Sequence, residues 1–140
     1  MATVVRSVLI QAPAADVWRV LTTRDLVREW AEAIAEGIDI QTSWLPGRPV
    51  LWRAPGGYAR QGVVGEFVPE RRLRFDYPDE QGSETFELAA EGGAVRLTLR
   101  LAGGAAAPGL ADELLAQIRS LAEESAEISA RRPQRDQQSG

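Results

Sequence analysis

The side chains able to do chemistry in this chain are carboxylates, hydroxyls and arginines. The 140 residues include no histidine, no cysteine and no lysine. Without histidine and cysteine, Ser–His dyads, thiol nucleophiles and the usual zinc sites are excluded. Any acid–base step would fall to aspartate, glutamate, tyrosine or arginine. We therefore expect no metal and no cofactor, and the sequence favours a binding role over catalysis without excluding an enzyme.

Glu66 is the sharpest candidate for a chemically active side chain. A two-residue loop at Glu70-Arg71 would pair Glu66 with Phe75, which belongs to the apolar face of its strand. That register places the carboxylate on the side facing the core. There it could hold a ligand hydroxyl or amine, or act as an acid or base. The alternative, which we favour, is a structural glutamate paired with Arg53, Arg60 or a backbone amide.

The other candidates come from the same parity argument. Even-length hairpin loops put Tyr58 and Arg53 on the inner side, whereas a bulge or a three-residue loop would turn Trp52 inward instead. Aromatic residues on such a face are more often plain core than ligand contacts. The candidate pocket residues are Glu66, Tyr77, Phe75, Trp44, Arg53, Tyr58, Phe86, Leu97, Leu99, Ile118 and Leu121.

The last hairpin gives the clearest strand signal. A two-residue loop at Glu91-Gly92 pairs Phe86 with Leu97 and Leu88 with Val95. The opposite face should carry cross-strand charge pairs rather than an anion-binding strip. The charged residues concerned are Arg72, Arg74, Arg96, Arg100, Asp76, Glu84 and Glu87.

Periodicity along the chain predicts an α+β protein. Residues 3–10 form a strand, two short helices follow up to Gly37, and residues 38–101 form about six strands joined by hairpins. Thr22-x-x-Asp25 resembles a capping box opening the second helix. Apolar residues then recur every three or four positions from Leu110 to Ile128, which indicates one long amphipathic helix packed on the sheet.

Charge and hydropathy limit the partners. The net charge is −4 and scattered, which argues against nucleic-acid or anionic-membrane binding. No apolar run approaches the roughly 20 residues that span a bilayer. The N-terminus lacks the pattern of a signal peptide, so we expect a cytoplasmic protein.

Three motifs accompany this element order: Ile10-x-Ala12-Pro13-x-x-x-Val17-Trp18, Leu26-x-x-x-Trp30 and Gly62-x-Val64-x-Glu66-x-x-Pro69. Together with the element order, they resemble the START-like helix-grip superfamily, also called SRPBCC or Bet v-type. The likeness is strongest to its Hsp-ATPase-activator-homologue and polyketide-cyclase-like branch, and it covers about residues 3–130. It implies a curved antiparallel sheet of about seven strands with the long C-terminal helix across its concave face. It also implies a single domain over 1–130. Residues 131–140 carry no apolar side chain, so we expect them to form a disordered tail.

This resemblance leaves three functions open. The protein could bind a small hydrophobic or amphipathic molecule, such as a lipid, polyketide-like or aromatic compound, between sheet and helix. It could be a cyclase- or aromatase-like enzyme that uses Glu66, Tyr77 or Arg53. It could instead be a chaperone-activator-like interaction module with a filled core. The family often forms homodimers, and it has no shared catalytic set to transfer.

Overall fold

The computed structural model describes residues 3–103 and 107–131. The predicted order is confirmed: one strand, two short helices, six strands and a long C-terminal helix. The tail predicted over 131–140 lies outside the described residues, except for Arg131 at the end of the last helix.

Seven strands form one antiparallel sheet. The two edge strands are the first and second in the chain, because the spatial order is β1-β7-β6-β5-β4-β3-β2. The connection between these edges carries the two short helices. The strands are β1 (Thr3–Ile10), β2 (Asp39–Thr42), β3 (Pro49–Arg53), β4 (Ala59–Val68), β5 (Arg72–Tyr77), β6 (Gly82–Glu91) and β7 (Ala94–Ala102).

The helices begin and end where local chemistry allows. Pro13 precedes the first helix, but the predicted capping box is wrong. The Thr22 hydroxyl donates to the Trp18 carbonyl (2.8 Å) and so closes the first helix, while Thr23 precedes the second without a side-chain capping bond. The helices are α1 (Ala14–Thr22), α2 (Arg24–Trp30) and α3 (Pro108–Arg131), and 3₁₀ turns cover Ala31–Ala33 and Pro78–Glu80.

Helix α3 packs over β1 and β7 and against α1 and α2. Its predicted stripe holds along most of its length, although Leu121 is only half-buried and Ile128 is 52% exposed. The apolar side chains are therefore buried more completely in the first four turns of the helix than in the rest of it. Its buried residues are Ala111, Leu114, Leu115, Ile118 and Ala122.

A β-bulge in β4 overturns the predicted position of Glu66. Val64 pairs with Phe75, but Glu66 pairs with Arg74, and Gly65 is the extra residue between the two registers. A bulge reverses the alternation of side chains beyond it. Glu66 consequently shares the outer face with Arg74, while Phe67 turns inward and contacts the Trp18 ring (5.2 Å between centroids).

The turn after β4 also differs from the prediction. It has three residues, 69–71, because β4 ends at Val68 and β5 begins at Arg72. Its central residue, Glu70, adopts a left-handed conformation with φ 63°. A three-residue turn shifts the pairing by one residue relative to a two-residue turn. A one-residue shift reverses which side chains of the two strands are predicted to share a face.

The register of the last hairpin is shifted by two residues from the prediction. Phe86 pairs with Leu99 and Leu88 with Leu97, because Gly92-Gly93 forms the turn instead of Glu91-Gly92. A shift of two preserves which side chains share a face. The inward positions of Phe86, Leu97 and Leu99 were therefore predicted correctly although their partners were not.

Strand β3 presents its tryptophan to the core. Trp52 is 3% exposed and its ring meets those of Trp30 and Phe75, whereas Arg53 is exposed. Since neighbours along a strand point to opposite faces, Arg53 lies on the outer side and its predicted inward position is wrong. This is the alternative that the sequence left open for a bulged or odd-length hairpin.

Candidate functional site

The centre of the interior is filled by side chains rather than open to a ligand. Six of the predicted pocket residues are at most 2% exposed and pack together in the hydrophobic core. A side chain buried to this extent among core neighbours has no free surface to offer a ligand. These six residues are Phe75, Tyr77, Phe86, Leu97, Leu99 and Ile118.

A cavity of about 410 Å³ lies at one end of the fold, beside this filled centre. The first turns of α3 form one wall, and the beginnings of β4 and β6 with the end of β7 form the other. Its size falls within the range of about 300–1,000 Å³ typical of small-molecule sites. The lining residues are Ile34, Tyr58, Ala59, Arg60, Glu80, Ser83, Glu84, Leu101, Ala102, Gly103, Ala107, Leu110 and Leu114.

Arg60 organises the polar side of the cavity. Its Nε lies 2.9 Å from Glu80 Oε2, its Nη2 lies 2.9 Å from Glu80 Oε1, and its Nη1 lies 2.6 Å from Glu84 Oε2. Its guanidinium carbon stands 3.6 Å from the centroid of the Tyr77 ring, a stacking contact that favours the cation. One arginine therefore joins the 3₁₀ turn after β5 to strand β6 and to the core.

A hydrogen-bonded chain continues from Arg60 into the core. The Tyr77 hydroxyl donates to Glu84 Oε1 (3.1 Å) and accepts from Trp52 Nε1 (3.0 Å). Every polar atom of the buried tyrosine and tryptophan thus has a partner, as buried polar groups require. Glu84 is the point at which this chain reaches the cavity.

The charges in this network stabilise one another. Burial alone would lower the pKa of Arg60, but hydrogen bonds and charge from Glu80 and Glu84 outweigh it, and the pKa rises above its usual value. Burial raises the pKa of Tyr77 well above that of a free tyrosine, and the negative charge of Glu84 adds to this. Burial likewise raises the pKa of Tyr58. Both tyrosines are therefore neutral hydrogen-bonding groups near neutral pH.

Three further predicted site residues lie at different places in the structure. Tyr58 is half-buried and lines the cavity. Trp44 has a left-handed backbone with φ 64°, and its ring lies 6.2 Å from those of Phe67 and Phe75, away from the cavity. Leu121 lines a separate groove between α2 and α3.

Glu66 and Arg53 do not join the cavity. Glu66 forms ion pairs with Arg74 and with Arg72 (3.3 Å) on the outer face of the sheet. The structural alternative that the sequence favoured for Glu66 is thus the observed one, although with different arginines. Glu66, Tyr77 and Arg53, the three groups considered for a cyclase-like enzyme, are not brought together, because Glu66 and Arg53 lie outside and Tyr77 is buried.

Glu80 and Glu84 were missing from the sequence-based site. Glu84 was assigned to the outer face, yet it has the same parity as the inward-facing Phe86 two residues later, and this signal could have found it. Glu80 gave no such signal, because it lies on a 3₁₀ turn outside any alternating strand. Arg60 was considered only as a possible partner of Glu66, but its partners are Glu80 and Glu84.

Neither a metal cluster nor a membrane span is found in the part of the chain that the structure describes. Within residues 3–103 and 107–131, no three acidic side chains converge in a way that could hold a metal ion. Over the same residues, no helix combines the length and apolar character needed to cross a membrane. The cytoplasmic location expected from the sequence stays a prediction.

The antiparallel sheet, the long C-terminal helix and the cavity between them define a helix-grip protein. Residues 1–129 match the family model described as polyketide cyclase / dehydrase and lipid transport. The chain therefore belongs to this family, and the predicted SRPBCC resemblance is confirmed. No curated protein sequence is similar enough to count as a match.

Solved structures with the same fold are distant in sequence. Protein MLL2253 from Mesorhizobium loti superposes with a TM-score of 0.74 at 18% identity, covering 89% of this chain and 98% of that one. The AHSA1-like protein from Aeromonas hydrophila gives 0.72 at 14% identity, covering 89% and 94%. The Aha1 dimer from Colwellia psychrerythraea gives 0.63 at 14% identity, covering 91% and 96%. These likenesses establish the fold alone.

Proposed function

We propose that this protein binds a small amphipathic molecule in the cavity beside the first turns of α3. The observation that carries the proposal is the cavity of about 410 Å³, which combines an aliphatic wall with a charged, hydrogen-bonded side. Binding sites for small molecules have this composition: mostly apolar surface with a few fixed polar groups. The centre of the fold contributes rigidity instead of ligand contacts.

The aliphatic wall suits an apolar tail. Ile34, Leu101, Leu110 and Leu114 line it, and each methylene that leaves water against such a surface contributes about 0.8 kcal/mol. Arg60, Glu80 and Glu84 stand opposite, held by one another before any ligand arrives. A preformed polar site lowers the entropic cost of binding.

Blocking the cavity tests the proposal. Leu110 is half-buried on the cavity wall, so Leu110→Trp should occupy the space that a ligand needs. We expect wild-type protein to bind the neutral fluorophore Nile red, with 1-decanol as competitor, and Leu110→Trp to lose at least about tenfold in affinity. The matched control is Ile128→Trp, which adds the same bulk at an exposed position of the same helix. Equal Nile red binding by both variants would exclude the cavity as the site.

A second candidate is an interaction module whose interior is filled. The observation that favours it is the solid centre around Phe75, Tyr77 and Ile118. In that case the outer surface would contact a partner protein. The purified protein would then show no co-purified small molecule in native mass spectrometry and would not bind Nile red. A retained ligand that survives gentle ionisation would favour the binding proposal instead.

We further propose that the protein associates as a homodimer. The support is that β1 and β2, the edge strands of the sheet, each pair on one side only among the described residues, and that Val5 and Leu45 on or beside them are exposed. An unpaired edge is a template for pairing with another chain. Light scattering across a concentration series measures this directly, and a constant monomer mass would rule it out.

A further inference from the structure

The polar side of the cavity has more free hydrogen-bond acceptors than free donors. All three guanidinium nitrogens of Arg60 already donate to Glu80 or Glu84, which leaves at most about two of its five N–H groups free, and one face of the guanidinium lies on the Tyr77 ring. A carboxylate offers about four acceptor positions, so Glu80 and Glu84 retain free ones. Acceptors are therefore in excess where a ligand head group would lie.

The net charge of the cavity lining also disfavours an anionic head group. Among the described lining residues, Arg60 contributes +1 and Glu80 and Glu84 contribute −2, which gives 1 − 2 = −1. The residues between Gly103 and Ala107 are Gly-Ala-Ala and add no charged side chain. An anionic head group would meet a net negative site whose arginine is already engaged.

From this imbalance we infer that the ligand carries a hydrogen-bond-donating head, neutral or cationic, and that carboxylates and phosphates are rejected. The inference rests on the proposed function, since it describes the head group of the ligand in the same cavity. An ammonium or hydroxyl group would donate to Glu80 and Glu84, and the apolar part would lie along Leu110 and Leu114. Glu80 and Glu84 thereby set specificity, with Arg60 as the residue that positions them.

A matched ligand series tests the inference. Decylammonium, 1-decanol and decanoate share one chain and differ in the head, and each is measured by calorimetry below its aggregation concentration at pH 7. We expect decylammonium and 1-decanol to bind and decanoate to be at least about fivefold weaker than decylammonium, the factor given by the roughly 1 kcal/mol between unit charges about 4 Å apart in water. Decanoate that binds as tightly as decylammonium would overturn the inference while leaving the proposed function intact.

Two variants locate the effect. Glu80→Gln removes one negative charge and frees part of Arg60, so the preference for decylammonium over decanoate should fall by about fivefold or more. Glu124→Gln makes the same change in net charge at an exposed site on α3 and should leave the preference unchanged. A preference that falls equally in both variants reflects overall protein charge and contradicts the assignment to Glu80.

The same measurements separate the two proposals. If none of the three ligands binds, or if Leu110→Trp binds them as well as wild type does, the cavity is not the site and both proposals fail. Thermal melts confirm that each variant is folded before binding is measured. If Glu80→Gln does not fold, the ligand series on wild-type protein still decides the inference.

Discussion

Tyr77 is the residue that connects the filled core to the cavity. Its ring is fully buried, and its hydroxyl lies between Trp52 Nε1 and Glu84. Because the Arg60 guanidinium stacks on its ring, Tyr77 helps to orient the polar side of the cavity. Tyr77 therefore acts on the candidate site as a positioning residue.

Tyr77→Phe should lower the free energy of unfolding and weaken the dependence of this free energy on pH in the alkaline range. The variant leaves the buried Trp52 Nε1 without an acceptor and removes one donor from Glu84, at a cost of about 1–3 kcal/mol near neutral pH. Burial raises the pKa of Tyr77 in the folded state, so its stabilising contribution is complete below the unfolded value near 10 and is lost as pH rises beyond it. Urea unfolding from pH 8 to 11 should show a steeper loss for wild type than for Tyr77→Phe.

Tyr58→Phe is the control for this experiment. The pKa of Tyr58 is also raised by burial, but the side chain is only half-buried, and it should account for a smaller part of the alkaline slope. If Tyr77→Phe retains the full wild-type slope, the buried hydroxyl is not the group that titrates.

Among elements, β4 carries two glycines that fix the positions of Glu66 and Tyr77. The bulge at Gly65 turns Glu66 outward, and Gly62 lies against the Tyr77 ring. A Cβ on Gly62 would stand 2.7 Å from Tyr77 Cδ1 and would also press on the Asp76 carbonyl oxygen. Neither the backbone carbonyl nor the buried ring can move cheaply.

Gly62→Ala should therefore lower the free energy of unfolding, although it adds only one methyl group. Overpacking of this kind costs about 1–3 kcal/mol, and here it would also displace Tyr77 from Arg60. Gly93→Ala is the control, because a Cβ there meets nothing within 4 Å. Chemical denaturation of both variants measures the difference, and equal stabilities would show that the Tyr77 ring is not held against β4.

These two glycines also explain how far the sequence could predict the fold. Alternation in β6 and β7 identified the buried faces correctly, even with the register shifted by two residues. In β4 the decisive feature is a single extra residue, and Gly65 has no side chain whose polarity could reveal it. The helix-grip fold was thus predictable, and the alternation of β6 also contained the inward position of Glu84. The outward position of Glu66 and the role of Glu80 depended on local geometry that alternation does not encode.

Helix α3 contributes stability mainly through its first four turns. Ile118 is completely buried, whereas Ile128 on the same predicted stripe is 52% exposed. Ile118→Ala should lower the free energy of unfolding by about 2–5 kcal/mol, because it leaves a cavity in the packed centre. Ile128→Ala should change it by no more than about 0.5 kcal/mol. Comparable losses in the two variants would mean that the helix packs along its entire length.

For the whole molecule, the separation of a filled centre from a cavity at one end has a thermodynamic consequence. The core that holds the sheet to the helices is complete without a ligand. Folding therefore does not require the ligand, and binding stabilises the folded state only by mass action. This differs from a protein whose ligand forms part of its core, in which the empty form is partly unfolded.

The empty protein should accordingly unfold in one cooperative transition, and ligand should move that transition without changing its shape. At a 1-decanol concentration 100 times the wild-type dissociation constant, the stabilisation should be about 2.7 kcal/mol for wild type. It should be no more than about 1.4 kcal/mol for Leu110→Trp, whose blocked cavity binds at least about tenfold more weakly. Calorimetry over a series of ligand concentrations measures both quantities. An empty protein without a cooperative transition would indicate that the centre is not packed as described, and equal stabilisation of the blocked variant would place the bound molecule elsewhere on the surface.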